Sequence, residues 1–403
     1  DWITTVTHYD KKSRPIYVYS KNAYLDTEDR VKSQLTFDGM VTETTTVRQK
    51  TGQLTLTIVD RYLYDHVNRP LGQLQKVNGA ALDEAIVRYI YDDLGQLERK
   101  DVGGKWNDID NLQNVDYSYS VRGWLRAINN PDITGGNDLF AFGINYSTQD
   151  HGGTPLYNGN IAETEWRTKS DNTLRWYRYG YDDLNRLKFA YFNSSSNDQV
   201  NWYNESNITY DKNGNLLSLN RTKMGSPVAG AAMDYLSYTY GTGNKLLRVE
   251  EQYDGAGSFE DGTNSGDDYT YDANGNMVED LNKGISRIDY NHLNLPTLVY
   301  LPSGTISYIY DATGIKQKKI VSTGTTTEYA GNFIYEDGSF KMMSHPEGYA
   351  ELRANAKIPS FDYAYQYKDH LGNVRLTYAD SDGDGSIDAQ TEIIEENNYY
   401  PFG

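Results

Sequence analysis

An aromatic residue followed by a turn recurs along this chain at a nearly fixed interval. The first copies are "HYDKKSRPI" at Tyr9, "TFDGMV" at Phe37, "LYDHVNRPL" at Tyr64, "IYDDLGQL" at Tyr91 and "SYSVRGWL" at Tyr119, spaced 28, 27, 27 and 28 residues. A weak copy at Tyr146 precedes clear ones at Tyr181, Tyr210, Tyr240 and Tyr271. The interval then shortens through Tyr290, Tyr310, Tyr335 and Tyr367, which makes about fourteen copies over 403 residues. A repeat of this regularity overrides the roughly two or three domains that length alone suggests. With no Gly/Ser-type linker in the sequence, the chain reads as one continuous repeat domain.

The unit has a physical interpretation. In "YTYDANGNMV", Tyr269 and Tyr271 lie two apart and share one face of a strand, while Thr270 takes the other. Asp272 and Gly275 stand at i and i+3, the pattern of a type I turn closed by a left-handed glycine and a bulge, after which Asn276, Met277 and Val278 begin a return strand. An isolated hairpin is marginal in water, so the copies must pair edge to edge into one long twisted sheet, with neighbouring Tyr rings as cross-strand pairs. The expected fold class is all-β. An ordinary sandwich would also be Tyr-rich and alternating, but it would not keep the 27–28-residue spacing.

Composition agrees once it is tied to the repeat. Low apolarity with a net charge of −18 can signal disorder, but 37 tyrosines and 13% aromatic residues oppose that. Zero cysteine excludes disulfides, Cys-based zinc sites and thiol catalysis. The acidic balance, without a long Lys/Arg block, argues against nucleic acid or an anionic membrane as the main partner. No apolar run approaches the ~18 residues of a membrane helix, and "DWITTVTHYD" lacks the features of a leader. The chain is therefore expected to be soluble, and mature or a fragment.

These Tyr-Asp units resemble the Rhs/YD-repeat family. The segment "YQYKDHLGNVRLTYAD" from Tyr365 to Asp380, followed by "EENNYYPFG", looks like the Rhs repeat-associated core of Bacteroidetes-type members, and "LYNGNIAETEW", "RWYRYGYDDLNRL" and "YNHLNLPTLVY" resemble phrases of the same subgroup. The resemblance implies a long spiralling sheet forming part or all of a hollow shell. It divides the chain into a repeat wall over residues 1–361 and a core over 362–403, with an acidic insertion at 380–392. It implies a non-catalytic, secreted shell, extracellular or on the surface of a bacterium, that encloses and delivers a C-terminal effector or toxin beyond Gly403, used in competition between bacteria. The effector domain, secretion machinery and associated surface proteins would be its partners, without membrane insertion. The family's usual Tyr-Asp-Pro-Phe-Gly ending is here Tyr399-Tyr400-Pro401-Phe402-Gly403, and the paired Asp-Pro-x-Gly-Leu motifs of self-cleaving members are missing, so autoproteolysis by these residues is not expected.

The sharpest local motif is Asp380-Ser381-Asp382-Gly383-Asp384-Gly385-Ser386-Ile387-Asp388. Carboxylates at loop positions 1, 3, 5 and 9, a carbonyl from Ser386 at position 7 and Gly385 at the sharp turn match most of an EF-hand-type loop and point to a structural Ca2+ held by Asp380, Asp382, Asp384, Ser386 and Asp388. Position 12 is Thr391, and Glu392 falls one place late, as in a dockerin-like or thrombospondin-like variant or a weak site. The stretch Glu260 to Asp268 lacks this alternation and reads as a solvated loop. His370 beside Asp369 lies in a turn, where a structural role outweighs acid–base work. No phosphate-binding glycine loop or nucleophile elbow appears. The sequons at Asn204-Glu205-Ser206 and Asn207-Ile208-Thr209 read as chance. The competing functional reading is an extracellular adhesin, or a carbohydrate- or protein-binding module, using exposed aromatics such as Trp124, Trp166, Trp176 and Trp202.

Overall fold

The computed structural model describes residues 2–105, 111–131, 136–196, 199, 201–226, 229–253, 255–262, 265–353 and 360–402. Among them are 31 strands and no helix, in antiparallel sheets of 18, 2 and 11 strands. Tyr269 and Tyr271 both pack against the core cluster of Ile208, Leu219, Leu236 and Val249, as the two-residue spacing predicts.

The hairpin turn is built by the residue after the anchor. Asp92 Oδ1 accepts the N–H groups of Leu94 and Gln96 at 2.9 and 2.8 Å, and the Gly95 amide reaches the Asp92 carbonyl at 3.0 Å. Gly95 takes φ 81°, a left-handed value that favours glycine, and Asn takes the same place at Asn68, Asn185 and Asn294. Asp65, Asp182, Asp211, Asp272, Asn291 and Asp311 repeat the two side-chain bonds. The expected bulge shifts the register at Tyr9, Tyr64, Tyr91, Tyr119, Tyr181, Tyr210, Tyr240, Tyr271, Tyr290 and Tyr310.

Four assigned anchors are corrected. At Phe37 the turn starts at Thr36, so Leu35 is the anchor and Phe37 projects outward, 86% exposed. At Tyr367 the bulge falls at Lys368, which turns Tyr367 inward to 3% exposure. Tyr335 belongs to a tighter hairpin in which Glu336 pairs with Ser339 across Asp337 and Gly338, both left-handed. Tyr146 closes no hairpin, because the strand Phe140–Asn145 finds its partner at Glu163–Thr168.

Tyrosine links successive repeats mainly through its hydroxyl. Tyr91 donates to the Pro70 carbonyl at 2.8 Å, Tyr210 to Leu187 at 2.8 Å, Tyr271 to Leu246 at 2.7 Å and Tyr290 to Met277 at 2.6 Å. Each acceptor lies six residues beyond the preceding anchor (64 to 70, 181 to 187, 240 to 246, 271 to 277). In three of these four links the residue one place before the acceptor supplies a cation over the next ring, with Arg69 at 4.7 Å from Tyr91, Arg186 at 4.5 Å from Tyr210 and Lys245 at 5.4 Å from Tyr271. Cross-strand tyrosine pairing occurs at Tyr365 and Tyr378, whose ring centroids are 5.9 Å apart.

The chain forms two compact units, where the sequence suggested one continuous repeat domain. The first comprises residues 1–129, 135–139 and 326–397. Its strands from Ile3–Tyr9 to Leu125–Ile128 pair successively, as do those from Thr326–Ala330 to Ile393–Glu396. The two runs share a core of Leu25, Leu56, Ile58, Val77, Phe333, Tyr335 and Met343. This grouping cuts across a division at residue 361, because the strand Phe361–Lys368 buries its tyrosines against side chains from residues 75–113.

The second unit comprises residues 130–134, 140–325 and 398–403. Strands from Phe140–Asn145 to Leu246–Glu251 pair successively, followed by the pair Tyr269–Tyr271 and Met277–Asp280 and a four-strand run from Arg287–Tyr290 to Lys316–Val321. Phe140–Asn145 is buried along its whole length.

Candidate functional site

In the first unit the acidic loop is held between the strands Val374–Tyr378 and Ile393–Glu396, which pair at Tyr378 and Ile393. The carboxylates of Asp380, Asp382 and Asp384 offer oxygens that all lie within 4.8 Å of one another. Two ligands of one calcium ion, each about 2.3–2.6 Å from it, cannot be more than about 5 Å apart, so the three fit a shared cation. The loop backbone aims these groups: the amides of Gly383 and Gly385 donate to Asp380 at 2.7 and 3.1 Å, and both glycines are left-handed.

Of the other two expected ligands, the Asp388 carboxylate is not part of that cluster. Ser386 donates from its amide and hydroxyl to Asp384 at 2.8 and 2.7 Å, and these bonds hold the Asp384 carboxyl below the usual range. Asp388 accepts the Gln390 amide at 2.8 Å. Glu392, which the sequence sets one place too late, is turned into the loop and is 6% exposed. Its carboxylate accepts the amides of Ser381 and Asp388 at 2.8 and 2.9 Å and the Ser381 hydroxyl at 3.0 Å. Burial works against its charge, but these donors prevail and keep its pKa low. Glu392 is thus the brace of the loop, and its spacing next to an acidic motif was the signal for it.

A cleft of about 690 Å³ adjoins the loop, bordered by Asp380 and Asp384 and, across it, by Gln75, Glu84, Lys105 and Tyr365. Its buried wall includes Tyr363 and Tyr365 of the strand Phe361–Lys368, which carries a tyrosine at every second position from 363 to 367. Tyr363 donates to Gln75 at 2.9 Å, Tyr365 to Glu84 at 2.8 Å and Tyr367 to Gln113 at 2.9 Å. Glu84 also pairs with Lys105 and takes the Gly104 amide at 3.3 Å.

In the second unit the segment Asn398–Phe402 lies against the sheet without strand pairing. Trp166 Nε1 donates to Asn398 at 2.7 Å, Tyr400 donates to the Thr222 carbonyl at 2.6 Å, and Tyr203 meets the Tyr400 ring edge-on at 6.0 Å. A pocket of about 300 Å³ remains among Trp166, Tyr177, Phe192, Tyr203 and this segment. The aromatics proposed as an exposed binding surface are not exposed. Trp166 and Trp202 are buried, and Trp124 and Trp176 are half-buried, the latter stacked on His151 at 4.2 Å. Sheet packing claims them first.

Other sequence candidates are structural. Asp369 beside His370 accepts the Leu371 and Asn373 amides, as a turn residue. Asp268, expected in a solvated loop, is 1% exposed and accepts the Val249 amide at 2.8 Å. Thr263 and Asn264 of that stretch, and Gly403, lie outside the described residues.

No protein-family model matches the sequence, and no curated protein matches it significantly. Solved structures do match in fold. A TcdB2-TccC3-TEV crystal structure aligns at 14% identity over 100% of this chain and 23% of its own, with a TM-score of 0.53. A TcdB2-TccC3 crystal structure without its hypervariable C-terminal region gives 14% identity, the same coverages and a TM-score of 0.56. The chain thus spans under a quarter of the length of these structures, and the all-β repeat architecture is what it shares with them.

Proposed function

We propose that this chain is the wall of an Rhs-type shell that encloses and delivers a C-terminal effector. The observation that carries this is the hairpin tiling: successive repeats are joined through the anchor hydroxyl at Tyr91, Tyr210, Tyr271 and Tyr290, and the chain aligns over its full length with TcdB2-TccC3 structures. One of those structures is described as lacking a hypervariable C-terminal region, which fits a shell that carries exchangeable cargo. On this reading the chain is secreted, acts against competing bacteria, and leaves catalysis to the effector, with secretion machinery as its partner. Small-angle scattering and electron microscopy should show an open or hollow curved wall, and a compact solid particle would overturn the reading. The adhesin alternative loses its main support with the burial of Trp166 and Trp202.

Calcium belongs to the same proposal, as a structural ion on Asp380, Asp382 and Asp384. Bound at ~100 times its Kd, it would add about 2.7 kcal/mol to the folded state. Chelation should lower the melting temperature by several degrees, at about 2–4 °C per kcal/mol for a unit of this size, and calcium should restore it. Identical melting curves with and without chelator would remove the ion from the proposal.

A further inference from the structure

Glu205 takes no part in the repeat turn and yet is fully buried, at 0% exposure. It stands opposite Arg221 in the register of Glu205–Tyr210 with Leu216–Ser226, and Arg221 stands opposite Asp234 on Ala229–Tyr240. The guanidinium is committed to Asp234, Nε to Oδ2 at 2.8 Å, and the other oxygen of Asp234 takes the Phe259 amide at 2.6 Å. Among the described residues neither oxygen of Glu205 has a hydrogen-bond partner of normal geometry. The titratable and charged groups facing it are Tyr210 on its own strand, Arg221, Asp234 and Tyr238 on the next two, and Tyr400 of the C-terminal segment.

We propose that the segment Asn398–Phe402 is a pH-gated latch, seated while the Glu205 carboxyl is protonated and lifted when that group gives up its proton. A neutral carboxyl is tolerated in this site, whereas a buried carboxylate whose only help is the Arg221 charge and the nearby Phe402 amide is under-solvated and gains from hydration. The cover over Glu205 with no strand ladder to lose is this segment. It is held by the Tyr400 hydroxyl on Thr222 and the Trp166 bond to Asn398, and its Phe402 is 54% exposed. Burial pushes the Glu205 pKa up to about 7, against the pull of Arg221 and the nearby Phe402 amide, which places the transition near neutrality.

These 403 residues contain no cysteine, so Phe402→Cys gives a single site for a nitroxide label on this chain. Spectra should show a seated, immobilised label at about pH 5.5 and a growing mobile fraction toward about pH 8.5, changing by at most about tenfold per pH unit for one proton. In the same labelled chain carrying Glu205→Gln, the label should stay immobilised across the range. Glu205→Met, also neutral at every pH, takes its place if the amide variant does not fold. A pH-independent spectrum in the labelled parent, or an unchanged transition in the neutral variants, overturns the latch.

Discussion

In the first unit, Glu84 is 6% exposed and receives Tyr365, Lys105 and the Gly104 amide; in the second, Glu205 is 0% exposed and receives no hydrogen bond among the described residues. The difference follows from what lies above each carboxylate. Glu84 faces a second layer of strands that offers a tyrosine at every second residue, and Glu205 faces a short segment with no regular pairing. A buried acid short of donors, as Glu205 is, ties folding to pH near neutrality. The first unit has its own unpartnered group of opposite kind. His345 packs between Tyr363 and Tyr365 with no hydrogen bond of normal geometry to either ring nitrogen among the described residues, and burial lowers its pKa to about 4 against the pull of the Tyr349 and Ala364 backbone.

The largest expected effect is that the two units respond to pH with opposite signs. The Glu205 pKa rises from an unfolded value of 4.5 to about 7, so its stabilisation is complete below the unfolded value and is lost as pH rises toward 7. The His345 pKa falls from 6.5 to about 4, so its contribution is complete above 6.5 and is lost as pH falls toward 4. Each shift corresponds to about 3 kcal/mol. Hydrogen exchange followed separately at residues 205–222 and 340–350 should show opposite slopes, abolished by Glu205→Gln in one and His345→Phe in the other. Parallel slopes would break the comparison.

A smaller contrast concerns the tyrosine hydroxyl. Tyr365→Phe strips a donor from buried Glu84 and should cost about 1–3 kcal/mol, whereas Tyr210→Phe frees the Leu187 carbonyl near solvent and should cost about 1 kcal/mol. Denaturant melts of the two variants rank them, and equal losses would mean that the buried acid gains nothing special from its tyrosine. The smallest effect is expected at Gly180, where a Cβ would come within 2.2 Å of the Phe189 ring that lies over it. The ring is stacked on Tyr191 at 4.5 Å and near the surface, so Gly180→Ala should shift it aside and lower stability by about 1 kcal/mol.

The hairpins were legible because their causes are local. An Asp that accepts two amides and a left-handed residue three places on are visible in six letters, and the structure places a bulge at ten of the anchors. Phe37 and Tyr367 misled because the turn residue, and not the aromatic, sets the phase. The split into two units was hidden, since contacts such as Tyr365 with Glu84 join positions 281 apart and depend on how the sheet curves. The carboxylates of Asp380, Asp382 and Asp384 converge, while that of Asp388 accepts an amide of the loop. Glu205 appeared only as the middle of a sequon, and its burial is set by Arg221 being taken by Asp234 and by residues almost two hundred positions away.

The hydroxyl that reaches six residues past the previous anchor has an evolutionary consequence. Donor, acceptor and turn acceptor recur with the same phase, and a covering cation in several copies, so removing or duplicating the stretch between equivalent points of two repeats rejoins chemically equivalent ends. Recombination within such a gene lengthens or shortens the encoded product in whole hairpins, and each viable event leaves the remaining junctions as they were.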